Sequence, residues 1–564
     1  MSITRFSWVT LVIFVLSIIF VIYPVEFKIR HRRIPLNLTT APILAIAILW
    51  ASQCLGPTQI RDGIVGTEGV KPYNILILFS SLAYMAITLD ISGVLQAAAF
   101  WVSNKGGTRG RRLYFYFYVM LTFLSVLLGN DPIILSGTVF LVYYTRGVEL
   151  EPLPWLIAEF ASANTASMVL VVGNPTNVVV CEGFGINFAA FTLYTVLVFL
   201  ACNVACYFAL AFQFRDEKHI PKEMKPVAQF DVRQAIRDPV SAWVGSALLF
   251  CCVAVILVVS FFKIDIWKIS LPFAVAKLVF DLVWDYIHPK PLPSEEVTSE
   301  DNTEDDVTFN VQRAMTMQST IGTHPTAIST TESQTLRGTS SPTLTSRLHR
   351  LRARLRSKHD SLALQFPTFF TALPRLPFAL IPFAFSQFIL IEALAHQGWI
   401  DVFAHWLARA SHHQIHPTVW LVGVLGVVLC NIAGTNIGAT ILLTKIVRAT
   451  PGMPPDATRA AGVALAVASN IGAVSFTFSA SLAGLLWKTI LRQKEQEIGE
   501  EEAKAKAKAL ARADGKEEAP EGAFQFAKGL GITQRMFARW NLLPLGVMTA
   551  VGLAVVSAEM AVLY

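Results

Sequence analysis

The sequence predicts an all-α, multi-pass membrane protein. Three observations carry this prediction: a mean hydropathy of +0.52, a hydrophobic fraction of 54% and a charged fraction of only 15% over 564 residues. Soluble domains carry about 25% charged residues. Here the charges gather in a few segments and are missing from apolar runs of about 17–25 residues, the length of helix that spans a bilayer. This pattern excludes a secreted disulfide scaffold, a coiled coil and a nucleic-acid-binding module.

The remaining composition argues against an enzyme. The net charge is +7, and the Lys and Arg residues lie between the apolar runs, as in cytoplasmic loops. The seven Cys residues lie in or beside apolar segments and form no paired CxxC pattern that would indicate zinc. The P-loop signature and the HExxH helix are both missing from the sequence. We therefore expect no catalysis, no resident metal and no cofactor.

Charge position orients the predicted spans. Five segments that hold most of the Lys and Arg are assigned to the cytoplasm: 24–34, 103–112, 215–238, 345–358 and 491–536. This assignment gives ten full crossings and two hairpins, with both chain ends outside and an uncleaved anchor helix first. The apolar runs are 7–23, 35–55, 73–89, 113–128, 131–146, 153–181, 187–213, 240–262, 264–287, 374–396, 417–432, 436–449, 457–490 and 537–562.

Two pairs of runs look too short to span singly. Runs 113–128 and 131–146 meet at residues 129–132, and both of their outer ends carry Arg, which favours the cytoplasm for both. A re-entrant helical hairpin satisfies both facts. Runs 417–432 and 436–449 have the same construction around residues 434–436. Broken backbone at membrane depth needs hydrogen-bond partners from protein or from a water-filled cavity. We therefore expect these tips to lie against protein or to line such a cavity.

The order of elements repeats along the chain. Three spans, a hairpin, an interrupted span and a final span occur twice, and five crossings per half predict inverted-topology repeats. Residues 126–130 match 427–431, and residues 161–164 match 468–470. The predicted division is 1–214 for the first repeat, 215–239 for a cytoplasmic connector, 240–287 for two spans of the second repeat, 288–368 for a disordered cytoplasmic linker, and 369–564 for the remainder, with 491–536 as a cytoplasmic loop.

Polar residues concentrate at the tips and interruptions. Pro175 must break its span, and Gly173 permits positive φ. The carbonyls freed at a break suit Na⁺ or a hydronium-like partner, and the freed N–H groups suit an anion or a neutral oxyacid. The candidate binding residues are Asn130, Asp131, Asn164, Thr165, Gly173, Asn174, Pro175, Thr176, Asn177, Asn431, Thr435, Asn436, Ser469, Asn470, Ser479 and Ser481.

Titratable groups inside membrane spans are candidates for a functional role. Asp131, at the first tip, is predicted either to gate transport by protonation or to cap the following helix, and both roles can hold. Glu159 is expected at a solvated interfacial position. Lys277 with Asp281 and Glu392 with His396 are each four residues apart, which predicts intrahelical pairs with structural or interfacial roles.

These motifs resemble a known family. Residues 173–177 behind the Asn164 segment, the hairpin at 129–132 and residues 469–472 resemble the ion transporter superfamily, and more narrowly its citrate-transporter-like and arsenite-pump (ArsB-type) membrane proteins. The resemblance covers nearly both halves and implies a substrate site between the tips and the broken helices, coupling to H⁺ or Na⁺, and a homodimer. Residues 478–481 lack the Pro and Asn of the first half, which argues against a second, equivalent cation site.

The leading expectation is a secondary active transporter that works by alternating access. Its partners are the lipid bilayer and a small-molecule or ion substrate, not nucleic acid. The substrate is predicted to be a small oxyacid or its anion. Because Lys and Arg are absent near the tips, either helix N-termini alone balance the charge of an anion, or the substrate is neutral at cellular pH, like arsenous or silicic acid, which is favoured. A di- or tricarboxylate symporter and a Na⁺/H⁺ antiporter stay open, as do a channel and a non-transporting scaffold. The sequence leaves plasma and vacuolar membranes undistinguished.

Overall fold

A computed structural model describes residues 3–29, 32–67, 69–224, 230–262, 264–289, 354, 357–512 and 526–563. The predicted linker 288–368 falls largely outside these residues, and the loop 491–536 falls partly outside them. In the first half the helices are α1 (Arg5–Ile22), α2 (Thr40–Ala51), α3 (Pro57–Val65), α4 (Pro72–Ile91), α5 (Val94–Gly106), α6 (Gly110–Leu128), α7 (Asn130–Gly147), α8 (Pro152–Ala166), α9 (Pro175–Phe184) and α10 (Phe188–Gln213).

The second half repeats this order. A short α11 (Val232–Ala235) precedes it, and its helices are α12 (Pro239–Val259), α13 (Trp267–Ile287), α14 (Pro367–Ala372), α15 (Leu380–His396), α16 (Trp399–Ser411), α17 (Ile415–Ile432), α18 (Asn436–Arg448), α19 (Pro455–Ile471), α20 (Leu482–Arg512), α21 (Phe526–Leu530) and α22 (Gln534–Leu563). The fold is not purely helical as predicted, because β1 (Val25–Ile29) pairs antiparallel with β2 (Arg32–Leu36). Helices α5 and α16 were also missed. Helix α16 is amphipathic, and the apolar stretch of α5, residues 94–102, is far shorter than the roughly 20 residues of a span.

The protein is an all-helical, multi-pass membrane protein apart from that small sheet. Within the described ranges, eight helical segments are long and apolar enough to cross a bilayer, compared with the ten crossings and two hairpins predicted. The expected shortness of the hairpin arms was wrong for α6, α7 and α17, which reach 19, 18 and 18 residues. Polar or charged residues continue each helix beyond its apolar run, so the run alone underestimates its length.

Each pair α6–α7 and α17–α18 folds into an antiparallel helical hairpin. The Phe117 ring on α6 lies 5.6 Å from that of Phe140 and 5.4 Å from that of Tyr144 on α7. At the two tips, Gly129 and Gly434 have φ of +85° and +88°, a backbone region in which glycine is favoured. The tips therefore correspond through Gly129 and Gly434. This differs from the sequence match, which placed Asn130 against Asn431.

The two halves also pack in a matched way. Helix α8 lies against its own hairpin, α6–α7, as α19 lies against α17–α18. Across the halves, α9 packs on hairpin arm α18, and α20 packs on hairpin arm α7. The final helices, α10 and α22, pack on each other at the centre. Every contact of this kind therefore has a counterpart in the other half.

A buried ion pair holds the peripheral helices α4 and α13 together. Lys277 and Asp281 are both almost fully inaccessible and form the predicted intrahelical pair. Tyr84 of α4 donates its hydroxyl to Asp281 Oδ2 at 3.0 Å, which ties the pair to the neighbouring helix. We call α1–α4 and α12–α15 the scaffold. The two hairpins and the broken helices, α8–α9 and α19–α20, together form what we call the central unit.

We predict that Lys277→Met destabilises the protein, because Asp281 is then buried without its counter-charge. Breaking a buried pair from one side costs about 3–5 kcal/mol. The expected readout is a lower melting temperature in detergent. The double variant Lys277→Met/Asp281→Asn keeps an acceptor for Tyr84 and should recover most of the loss. A single variant as stable as the native chain would contradict the prediction.

Candidate functional site

The amide of Asn470 joins the two broken helices at the centre of the protein. Its Oδ1 accepts hydrogen bonds from Ser167 Oγ at 2.9 Å and from Asn174 Nδ2 at 3.2 Å. Its Nδ2 donates to Asn177 Oδ1 at 2.7 Å. Asn470 lies in α19 of the second half, whereas its three partners lie at the interruption between α8 and α9 in the first half. One side chain therefore links both interruptions.

Each hairpin tip connects to this centre through an asparagine. Asn130 Nδ2 donates to Asn164 Oδ1 on α8 at 3.1 Å. At the other tip, Asn436 Nδ2 lies 3.5 Å from the Ser469 carbonyl oxygen on α19. Ser469 Oγ in turn lies 3.2 Å from Thr176 Oγ1 of the first half. These buried side chains form one continuous polar layer between the tips.

The first interruption is built as its sequence suggests. Asn174 caps α9 by accepting from the Thr176 N–H at 3.2 Å, and Pro175 occupies the first helical position. Asn177 Nδ2 donates to the carbonyls of Ser167 and Leu170 at the break. The Leu170 carbonyl also accepts from the Gly173 N–H at 3.0 Å. Gly173 does not adopt the positive φ that glycine permits. Glycine is needed there because a Cβ would lie 2.4 Å from the Ser167 carbonyl oxygen.

Several other predicted residues do not face the polar layer through their side chains. Asn431 Oδ1 accepts from the N–H groups of Phe476 and Thr477, both at 3.2 Å, and so holds the loop that follows α19. Thr165 Oγ1 donates back to the Ala161 carbonyl. Two further side chains cap helices α18 and α20, namely Thr435 and Ser481. Ser479 is buried, and its hydroxyl has no partner among the described residues.

The acidic residues depart from their expected surroundings. Gly129, not Asp131, is the N-cap of α7, and no side chain caps that helix, so the capping role of Asp131 is wrong. Asp131 lies in the first turn, where the positive end of the helix dipole favours an anion. Glu159 is fully buried rather than solvated, and Thr138 Oγ1 lies about 3 Å from both its oxygens. Glu392 pairs with a residue on another helix rather than with His396.

Two residues at the site were missed by the sequence argument. Ser167 lies one helical turn after Asn164, and that spacing could have identified it. Gln387, in the apolar α15, is fully buried, and neither its Nε2 nor its Oε1 has a partner in the described structure. Its Oε1 lies 3.1 Å from where a Cβ on Gly438 would sit, in the first turn of α18. A lone amide in an apolar span is an available signal, because burying it unpaired is costly.

The polar layer is built from neutral groups, and the charges lie to one side. A cavity of about 260 Å³ opens between α4 and hairpin arm α7, and none of the predicted site residues lines it. Its lining includes Asp90, Ser136, Arg237 and Arg375. Arg375 lies 3.4 Å from Asp90, and Ser136 donates to the same carboxylate. The centre can therefore offer amide and hydroxyl groups to a solute, and the cavity offers charged ones.

Comparison with known families identifies the chain. The model of a family described as citrate transporter matches residues 5–291 of the 564. The chain belongs to the citrate transporter family. This family comprises integral, multi-pass membrane transporters rather than enzymes, so the resemblance seen in the sequence motifs is confirmed.

Individual relatives match only in part. An arsenical pump membrane protein of Escherichia coli is 29% identical over 196 residues, which are 34% of this chain and 44% of the relative. An uncharacterized transporter of Mycobacterium tuberculosis is 23% identical over 212 residues, 36% of this chain and 48% of the relative. The chain thus matches about half the length of these curated relatives. The comparison with the crystal structure of the Alcanivorax borkumensis YdaH transporter aligns 98% of each chain, at 10% identity and with a TM-score of 0.34.

The tip of the first hairpin gives a direct test of its backbone. We predict that Gly129→Ala destabilises the protein by about 1–3 kcal/mol, since φ of +85° with ψ of 172° suits glycine almost alone. A Cβ there would meet only ordinary contacts, so the cost comes from the backbone. Gly546→Ala in α22, where a Cβ meets nothing within 4 Å, is the matched control and should be neutral. Equal melting temperatures for both variants would exclude the strained turn.

Proposed function

We propose that this protein is a secondary active transporter in which two inverted-topology repeats enclose a solute site at the polar layer. The observation that carries the proposal is the Asn470 amide, which joins both helix interruptions through Asn174 and Asn177. Interrupted helices that meet at the membrane midplane are the usual solute sites of secondary transporters. The re-entrant placement of both hairpins and the division into two repeats belong to this proposal.

The matched packing of the halves supports an alternating-access cycle. Each broken helix contacts both hairpins, one from its own half and one from the other. The central unit can therefore move as one body relative to the scaffold. Because the same contacts recur on both sides, the same kind of movement can serve both uptake and release of the solute.

The neutral polar layer favours a small oxyacid, such as arsenous or silicic acid, coupled to H⁺ or Na⁺. Amide and hydroxyl groups hydrogen-bond to an uncharged acid without needing a counter-charge. The name of the arsenical pump relatives supports this choice. The second candidate, a di- or tricarboxylate symporter, is supported by the family name and by Arg375 in the cavity. The homodimer stays a prediction, as does the disordered, cytoplasmic state of the linker 288–368.

We predict that Asn470→Ala abolishes solute flux, because it removes the acceptor of Ser167 and Asn174 and the donor of Asn177. Reconstituted vesicles under imposed pH and Na⁺ gradients would be assayed with arsenite, silicic acid, citrate and Na⁺. Asn203→Ala is the matched control: Asn203 accepts from Tyr118 at 2.9 Å in the apolar helix α10, away from the polar layer. Native flux in the Asn470→Ala variant, or equal loss in both, would contradict the proposed site.

Asp131 allows the coupling ion to be tested separately. We predict that Asp131→Asn keeps downhill exchange of the solute but loses its dependence on the pH gradient, because the variant can no longer release a proton. Asp401→Asn is the control: Asp401 is exposed on α16, away from the first tip, and the variant should keep the native dependence. Flux through Asp131→Asn that still follows the pH gradient would show that another group, or Na⁺, provides the coupling.

A further inference from the structure

The two halves form a pair of related openings between the hairpins and the scaffold. The cavity of about 260 Å³ lies between scaffold helix α4 and hairpin arm α7, with Ile490 of α20 on its wall. The related opening lies between scaffold helix α15 and hairpin arm α18, with Val179 of α9 on its wall, and has a volume of only about 10 Å³. Each opening is bounded by a scaffold helix and a hairpin arm of one half and by the second part of the broken helix of the other half, so the two openings correspond. We call the wide cavity the open side and the nearly filled one the closed opening.

A charged contact crosses the closed opening. Lys445 Nζ on hairpin arm α18 lies 2.6 Å from Glu392 Oε1 on scaffold helix α15. Thr67, from the loop between α3 and α4, donates its hydroxyl to Glu392 Oε1 at 2.5 Å and lies 2.8 Å from Lys445 Nζ. Each of the three side chains thus contacts the other two, between the hairpin and the scaffold.

The open side has a different link between the same elements. There the ion pair Asp90–Arg375 lies within the scaffold, because Arg375 precedes α15. Ser136 of hairpin arm α7 donates its hydroxyl to the Asp90 carboxylate, which is a charge-assisted hydrogen bond. The first hairpin is therefore joined to the scaffold by a hydroxyl–carboxylate bond, whereas the second is joined to it by an ion pair.

Water access couples this ion pair to the size of the opening. The side chains of Lys445 and Glu392 are only 13% and 12% exposed. Separating two such charges in a nearly dry site is costly unless water replaces the partner. The pair can therefore break only when the opening widens enough to admit water, and re-forming the pair expels that water.

We infer that Lys445, Glu392 and Thr67 form the gate of the second opening, which holds this side shut while the opposite cavity is open. The inference rests on the proposed alternating-access function, and the predicted topology puts this gate on the exterior face. Breaking the pair should shift the population towards the opposite state, with the second opening wide and the first one closed.

Thiol accessibility tests the gate without any transported solute. In a Cys251→Ser background, which removes the one exposed Cys among the seven, a single reporter is introduced as Val70→Cys at the closed opening or Leu124→Cys at the open cavity. A membrane-impermeant maleimide is then applied to each face of native-like vesicles. With Glu392→Gln or Lys445→Met added, we expect labelling of the Val70→Cys thiol to rise about tenfold and that of Leu124→Cys to fall.

A nearby ion pair supplies the matched control. Lys71 bonds to Asp265 at the same end of α4, and this hydrogen bond lowers the pKa of Asp265. Both residues belong to the scaffold, so Lys71→Met should leave both labelling rates unchanged. The charge-swapped variant Glu392→Lys/Lys445→Glu should restore the native rates, which excludes general loosening of the fold as the cause.

The outcomes separate the gate from the proposed function. Unchanged labelling at both reporters after the pair is broken, in a chain that still transports, overturns the gate alone. Reciprocal labelling changes in a chain that carries none of the assayed solutes keep the gate and overturn the transport assignment. An equal rise with Lys71→Met, or no recovery in the swapped variant, would also overturn the gate.

Discussion

A helix that breaks inside a bilayer frees backbone groups that lipid cannot satisfy, and this constraint shapes the centre of the protein. Such groups need partners from the protein or from a water-filled cavity. Here the side chains of Asn177 and Asn431 take up much of that need at the two interruptions, by pairing with the carbonyls of Ser167 and Leu170 and with the N–H groups of Phe476 and Thr477. Asn177 also accepts from Asn470 of the second half, so the side chain that satisfies the first break helps to join the two halves, whereas Asn431 acts within its own half.

Composition alone was enough to predict the membrane class, and the paired short apolar runs were enough to predict the two hairpins. Both follow from local physics, since a long apolar run has few alternatives to a spanning helix. Helix α16 was missed because its apolar residues line one face, and α5 was missed because its apolar stretch, residues 94–102, is too short to span. Helix ends were underestimated for a similar reason: charged or polar residues extend α6 and α17 beyond the apolar stretch.

The residue types of the site were predictable, but the hydrogen-bond and ion-pair partners of those residues were not. Proline and asparagine at residues 174–177 identify the break, and the structure brings this segment against Asn470 as a partner from the other half. No local rule could assign Glu392 to Lys445 rather than to His396, because α15 and α18 meet only in the folded chain. The burial of Glu159 between α7 and α8 is equally a result of tertiary packing.

The exchange of contacts between halves bears on how the chain is made. During synthesis the segment around Asn174 and Asn177 enters the membrane long before Asn470 has been translated. Until α19 arrives, the amide oxygen of Asn177 lacks its donor and α9 lacks the α18 surface on which it packs. The first half is therefore an incomplete folding unit, and the order of translation makes the second half the template on which the first reaches its final form.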